Sequence, residues 1–243
     1  MRIIMKEQEM LEFADYIDNI AETEPEYGIK TFFKTPEPIK EECFRIIDRI
    51  EEIDILMPTV DRKQKGKFSY EKGMLLEELA KKILNIRNIF SVEERVECDS
   101  NEIDLLLQPS TNGAIYMRLL PEYLRKDCLV ECKNHKDPID VTLIGKFYSL
   151  LRYKTVKFGF MISNKELTGN NHWEDAVGLT KKLYLRDDTI IINITMAMIK
   201  ELLESDGNII DLIKSKVNEI LYHTTFDSNI CKHPAEEKMK KPC

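Results

Sequence analysis

Cys128-Leu129-Val130-Glu131-Cys132-Lys133 is the stretch on which the reading of this chain turns. It has the apolar content of a short strand and closes on an acid and a lysine two residues apart. Successive side chains on a strand point to opposite faces, so Leu129, Glu131 and Lys133 share one face while Val130 and Cys132 take the other. A Glu and a Lys at the end of an apolar strand are unusual, because such charges are rarely buried unless paired or bound to a metal. Upstream, Asn101-Glu102-Ile103-Asp104-Leu105-Leu106-Leu107 reads as a second apolar strand with a carboxylate near its start.

The periodicity around these two strands predicts a regular order of elements. A helix is expected over 70–86, strands over about 89–97 and 103–107, and an irregular insertion over 108–127. After the strand at 128–133 come a helix (139–153), a strand (156–163), a helix (173–183, with Asn171 as its N-cap), a strand (189–194) and helices over 195–205 and 208–222. Strands alternating with helices predict an α/β domain built on a mixed sheet flanked by helices.

Two amphipathic helices are expected ahead of it. The first spans 3–21, with Met10, Phe13, Ala14, Ile17 and Ile20 on one face. The second spans 39–56, with Ile39, Cys43, Ile46, Ile47, Ile50 and Ile53, closed by Pro58. Pro25, Gly28, Pro36 and Pro38 mark a connector between them, and the polar, basic run Thr59–Ser69 reads as a linker. The expected division is therefore an N-terminal helical extension and linker (1–65), a main domain (66–224) and a disordered tail (225–243) containing Pro234 and Pro242.

Composition narrows the function classes. The chain has 243 residues, 43% hydrophobic and 33% charged, as globular proteins do. No run approaches the roughly 18 apolar residues of a membrane span. Acids follow Ile3-Ile4-Met5 at once, so no secretory leader is expected, and the expectation is a cytoplasmic protein with no membrane partner. The six cysteines, at 43, 98, 128, 132, 231 and 243, form no CxxC pair. They read as small apolar residues in a reducing compartment; Cys231-Lys232-His233 and Cys243 have no standard zinc spacing. The net charge of −7 argues against a general polyanion binder, but residues 1–29 carry −6 of it and the other 214 only −1. Residues 141–165 hold Lys146, Arg152, Lys154, Lys157 and Lys165 without a single acid.

Hydrolysis of a phosphodiester brings an anionic nucleophile to an anionic phosphate, and a divalent metal supplies the compensating charge. Magnesium, or manganese, takes hard oxygen ligands and needs only one or two carboxylates from the protein. Asp104 and Glu131 on neighbouring strands supply those, the backbone carbonyl of Cys132 supplies a third oxygen, and Lys133 is placed to orient or activate water. A further carboxylate is expected from the helix Gly73–Leu84. Its apolar stripe is Leu75, Leu76, Leu79, Ala80, Ile83 and Leu84, with Glu77 at the border and Glu78 on the wetter side. Ser163 and Asn164 at a strand end, with Lys146, Arg152 and Lys154 on a helix, are candidates for nucleic-acid contacts. The plainer alternatives are turn chemistry for the first two and a solvated helix face for the others. For Glu131 and Lys133 taken alone, the plainer alternative is an edge-strand ion pair.

The arrangement resembles the PD-(D/E)xK, or restriction-endonuclease-like, nuclease superfamily. The pieces that carry the resemblance are Lys72-Gly73-x-x-Leu76-Glu77, Glu102-Ile103-Asp104 and Glu131-Cys132-Lys133. Beyond them, Lys146-Phe147-Tyr148 and Phe158-Gly159-Phe160-Met161-Ile162-Ser163 look like the Mrr-type restriction endonucleases. The resemblance covers about residues 66–205. It implies a restriction-endonuclease-like sheet and metal-dependent cleavage of DNA, with Asp104 and Glu131 as ligands, Lys133 catalytic and Glu77 supporting. It also implies a restriction or anti-phage role, acting as a homodimer or beside a partner protein. Two departures stand out: Ile103 replaces the proline before the first acid, and about 20 residues separate the two acidic strands. Two rival readings keep the fold, as a non-catalytic binding or assembly subunit, or as a nuclease for RNA or branched DNA.

Overall fold

The computed structural model describes residues 7–98, 101–111, 113–169 and 174–222. Asn171, His172 and Trp173, the tail from 225, and Cys231, His233 and Cys243 lie outside the described residues.

Four helices come first: α1 (Glu7–Thr23), α2 (Pro25–Phe32), α3 (Glu37–Leu56) and α4 (Arg62–Leu84). The expected connector at Pro25 is itself a helix, because proline fits the first turn, where its missing N–H would go unpaired anyway. The expected linker is also helix. Asp61 caps α4 by accepting from the Gln64 amide at 2.8 Å, and the helix runs unbroken for 23 residues from Arg62. Its first ten residues hold one buried apolar anchor, Phe68, too few to give a periodic signal. Tertiary contacts hold it instead. Arg49 of α3 bonds Glu71 at 2.7 Å, and Asp54 of α3 bonds Lys72, only 4% exposed, at 2.6 Å. The break between α3 and α4 is the short 3-10 turn Met57–Thr59.

The remaining elements follow the expected order: β1 (Phe90–Cys98), β2 (Asn101–Pro109), α5 (Ala114–Met117), β3 (Cys128–Lys133), α6 (Val141–Tyr153), β4 (Phe158–Ser163), α7 (Asp175–Asp187), β5 (Ile190–Thr195), α8 (Met196–Glu204) and α9 (Ile209–Leu221). The sheet order is β1-β2-β3-β4-β5. β1, β2 and β3 pair antiparallel; β3, β4 and β5 pair parallel, with α6 and α7 as the crossovers that parallel strands require. The sheet is mixed, and its strands β3, β4 and β5 are covered on both faces.

Alternation along the central strands sorts the core into two layers. Val130, Phe158, Phe160, Ile162, Ile192 and Ile194 join one cluster with residues of α2, α3, α4, α8 and α9. Leu129, Met161 and Ile191 point the other way, into a smaller cluster under α6 and α7. Gly159 faces the second layer, where a Cβ would lie 2.6 Å from the Phe147 ring of α6, so the bare backbone makes room for that ring. Ile29, Phe33, Ile47 and Ile50 of the N-terminal helices sit in the same large cluster as the sheet.

The 108–127 insertion packs rather than reaching out. Leu119, Leu120 and Leu124 are buried, Tyr123 stacks at 5.0 Å on Phe158, and Arg118 pairs with Asp18 of α1. It joins the end of β2 to the start of β3, so it lies at the far end of the sheet from Glu131 and Lys133.

Candidate active site

The β2–β3 ladder runs from Leu107↔Cys128 to Leu105↔Val130 and stops there. One more step of the same register would set Asp104 opposite Glu131. Instead β2 leaves the ladder, and the Asp104 carboxylate takes over the pairing: its Oδ2 accepts from the Cys132 amide at 2.5 Å. On an extended strand the N–H and C=O of one residue point to the same neighbour, so the Cys132 carbonyl is turned toward the same β2 side as its amide. The chain thus brings Asp104, Glu131 and the Cys132 backbone together.

A kink in β1 adjoins this departure. Pairing of β1 with β2 steps from Glu94↔Leu105 to Val96↔Ile103 without Arg95↔Asp104. Arg95 has φ +52, a left-handed conformation that costs a non-glycine residue of the order of 1 kcal/mol or more. The kink aims Arg95 at α4. It lies beside Tyr70, touches the Met74 sulfur, and its Nε lies 3.8 Å from Glu77 Oε2.

Electrostatics couples the acids. Burial holds the Asp104 carboxyl above its ordinary pKa, against the pull of the Cys132 amide and the Lys133 ammonium. Burial and then the nearby Asp104 raise Glu131. Burial and then Asp104 raise Glu77 as well, with Arg95 working against them. Glu102, exposed beside Asp104, adds its charge to all three. Burial works against the charge of Lys133, but Glu131, to which it is bonded, and Asp104 outweigh it and keep Lys133 above its usual value. Glu131 is 8% exposed; one carboxylate oxygen bonds Lys133, and the other, Oε2, is buried with no hydrogen-bond partner among the described residues. A buried, unpartnered carboxylate oxygen carries a desolvation cost of about 1–3 kcal/mol or more unless a cation or donor meets it.

That donor set suits a hard divalent cation: two carboxylates, one with a free buried oxygen, and a carbonyl turned the same way. Among the described residues, no group of three or more His, Cys, Asp and Glu side chains is gathered so as to hold a metal ion. The fit therefore rests on two side chains and backbone, with water for the rest, as magnesium accepts.

No family model, curated protein or solved structure matches this chain.

The other expected site residues divide by position. In the parallel register Lys133 stands beside Ser163, which stands beside Thr195. Ser163 is fully buried, and its hydroxyl lies 2.6 Å from the Lys165 carbonyl and 2.8 Å from Asn193 Oδ1, so it supports the strand ends and is not open to phosphate. Asn164 donates to Asn134 Oδ1 at 2.8 Å, and Asn134 donates in turn to the Ser69 carbonyl of α4 at 3.4 Å. This chain of amides ties the residue after Lys133 to both β4 and α4. Lys146 is exposed midway along α6. Arg152 and Lys154 sit at the far end of α6, which leads into the start of β4, away from the carboxylates. There Arg152 pairs with Asp187 at 3.1 Å, and the Lys154 ammonium lies 5.8 Å over the Tyr153 ring.

Reading the sequence alone missed three residues here. Asn193 is a polar break in the run Ile190–Ile194, a signal that was available. Asn134 follows Lys133 directly and was equally visible. Arg95 lies in an acidic strand, and nothing in the sequence marks its left-handed backbone.

Proposed function

We propose that this protein is a metal-dependent nuclease that hydrolyses DNA phosphodiester bonds at Asp104, Glu131 and Lys133, with Glu77 in support. The observation that carries the reading is the buried, unpartnered Glu131 Oε2 beside Asp104, flanked by a protonated Lys133 at the carboxyl ends of parallel strands. Ligands of open α/β sheets gather at those ends.

Asp104, Glu131 and the Cys132 carbonyl would hold magnesium or manganese, with Glu77 reaching the same ion directly or through water. Bound there, the metal neutralises phosphate charge and lowers the pKa of a bound water. The Cys132 amide fixes one Asp104 oxygen and leaves the other free to ligate. Lys133, held charged by Glu131 and Asp104 in the metal-free site, would orient or activate the attacking water and offset charge on the phosphate. Its ion pair with Glu131 fixes where that ammonium sits. The amides of Asn134 and Asn164 hold the strand end that carries Lys133. A role in restriction or anti-phage defence, alone or with a partner, extends this reading.

The test is cleavage of supercoiled plasmid with magnesium, manganese or chelator. Nicking or linearisation should require metal, and Asp104→Ala and Lys133→Ala should each lower the rate roughly 100-fold or more. Calorimetry should show metal binding that Asp104→Ala abolishes. Absence of both cleavage and metal binding in the wild type would overturn the reading.

A further inference from the structure

One face of α4 leads straight from the carboxylates to the surface. At 100° per residue, Lys63, Lys67, Tyr70, Met74 and Glu77 fall within about 80° of arc, opposite the side that buries Phe68, Lys72 and Leu79. Tyr70 is 67% exposed and Met74 39% exposed, while Glu77 reaches in toward Asp104. Arg62, Lys63, Lys65 and Lys67 are all exposed, no acid occurs between Arg62 and Tyr70, and none of the four has a carboxylate partner among the described residues. Elsewhere on α4 the lysines are spoken for: Lys72 by Asp54, Lys81 by Glu94 and Lys82 by Glu42.

Two glycines edge this stripe. Gly66 and Gly73 lie inside the helix, where glycine costs about 1 kcal/mol relative to alanine, and a Cβ at either would meet nothing within 4 Å. Among the described residues no packing requires them. They leave bare helix backbone along the stripe, open to close approach from outside.

We propose that this stripe is a track for single-stranded DNA next to the bond that is cut, an inference that rests on the nuclease reading of the same site. Lys63 and Lys67 meet backbone phosphates, and a base stacks on Tyr70 beside Met74, which Arg95 touches. Charge complementarity selects a polyanion, and the exposed ring selects single strands. In a duplex the base faces are already stacked, whereas an unpaired base offers its face to an aromatic side chain. The track is continuous with the site, since Asn134, next to Lys133, bonds the Ser69 carbonyl one residue before Tyr70.

The experiment is fluorescence anisotropy of the whole chain with labelled oligothymidylate and with a labelled hairpin duplex, in chelator so that nothing is cut. Oligothymidylate should bind more tightly than the duplex. Lys63→Gln with Lys67→Gln should weaken it tenfold or more and flatten the salt dependence by about 1.4 in the log–log slope. Tyr70→Ala should cost roughly tenfold while Tyr70→Phe retains most of the affinity. Circular dichroism will show that these surface variants are folded. Equal affinity for duplex and single strand overturns the track, as does a loss no greater than that of the control Lys30→Gln with Lys182→Gln. The two readings fail separately. The expected binding pattern without cleavage under magnesium keeps the track and sinks the nuclease. Plasmid cleavage abolished by Asp104→Ala, with single-strand binding indifferent to Lys63, Lys67 and Tyr70, does the reverse.

Discussion

Asp104, Glu131 and Glu77 each hold a proton to higher pH in the folded chain than in the unfolded one, through burial first and mutual repulsion second. The sign of the pH effect follows. Their combined contribution favours folding fully below the ordinary carboxylate values of 3.8 and 4.5, and it is lost as pH rises through the raised values. At neutral pH these acids strain the fold, and the divalent cation proposed for this site would relieve that strain. Asp104→Asn, which keeps an acceptor for the Cys132 amide, should therefore melt at a higher temperature than wild type at pH 7.5 in chelator. The difference should shrink toward pH 4. Magnesium should raise the melting temperature of the wild type and leave Asp104→Asn nearly unmoved. Scanning calorimetry across that pH range, with and without magnesium, checks both; a variant less stable than wild type at pH 7.5 would contradict the argument.

Elements respond to their glycines according to what lies beyond the missing Cβ. On α4, Gly66→Ala and Gly73→Ala add a methyl to open space and remove backbone freedom from the unfolded chain. Each should stabilise by about 0.5–1 kcal/mol in urea denaturation. On β4, Gly159→Ala drives a methyl into the Phe147 ring and should cost about 1–3 kcal/mol. The contrast also shows why α4 was harder to read than β3. Cys128–Lys133 has the observed bounds of β3, because its short apolar run, closed by Glu131 and Lys133, is a local signal. The first turns of α4 carry one apolar anchor and four basic residues, so their helicity comes from the Asp61 cap and from pairs with Arg49 and Asp54, contributed by a different element.

At the scale of the whole molecule, the N-terminal helices are built into the core that carries the site. Phe33, Ile47 and Ile50 are each no more than 1% exposed and share a cluster with Leu79, Val130 and Phe160. α3 also braces the half of α4 that leads to Glu77. Removing residues 1–56 should therefore expose the large apolar layer and abolish cooperative unfolding, rather than release a stable α/β domain. Thermal melting and limited proteolysis of the truncated chain test this; a sharp transition and a protease-resistant body would show the helices to be an appendage. Among the described residues no helix is long and apolar enough to cross a membrane.

The sequence by itself determined the strand and helix order, the mixed character of the sheet, and the acids and lysine that share one end of it. Those follow from periodicities of two and 3.6 residues and from the rarity of charge on apolar strands, both of which are local. Tertiary structure alone decided the rest. It turned a presumed linker into the first half of α4, because long-range ion pairs and one buried ring outweigh a weak local signal. It buried Ser163, carried Arg152 and Lys154 to the opposite end of the sheet, and set Arg95 over Glu77 through a kink in β1. Each of these depends on which strand ends meet and which helix lies above them, and the information resides in contacts between residues far apart in the chain.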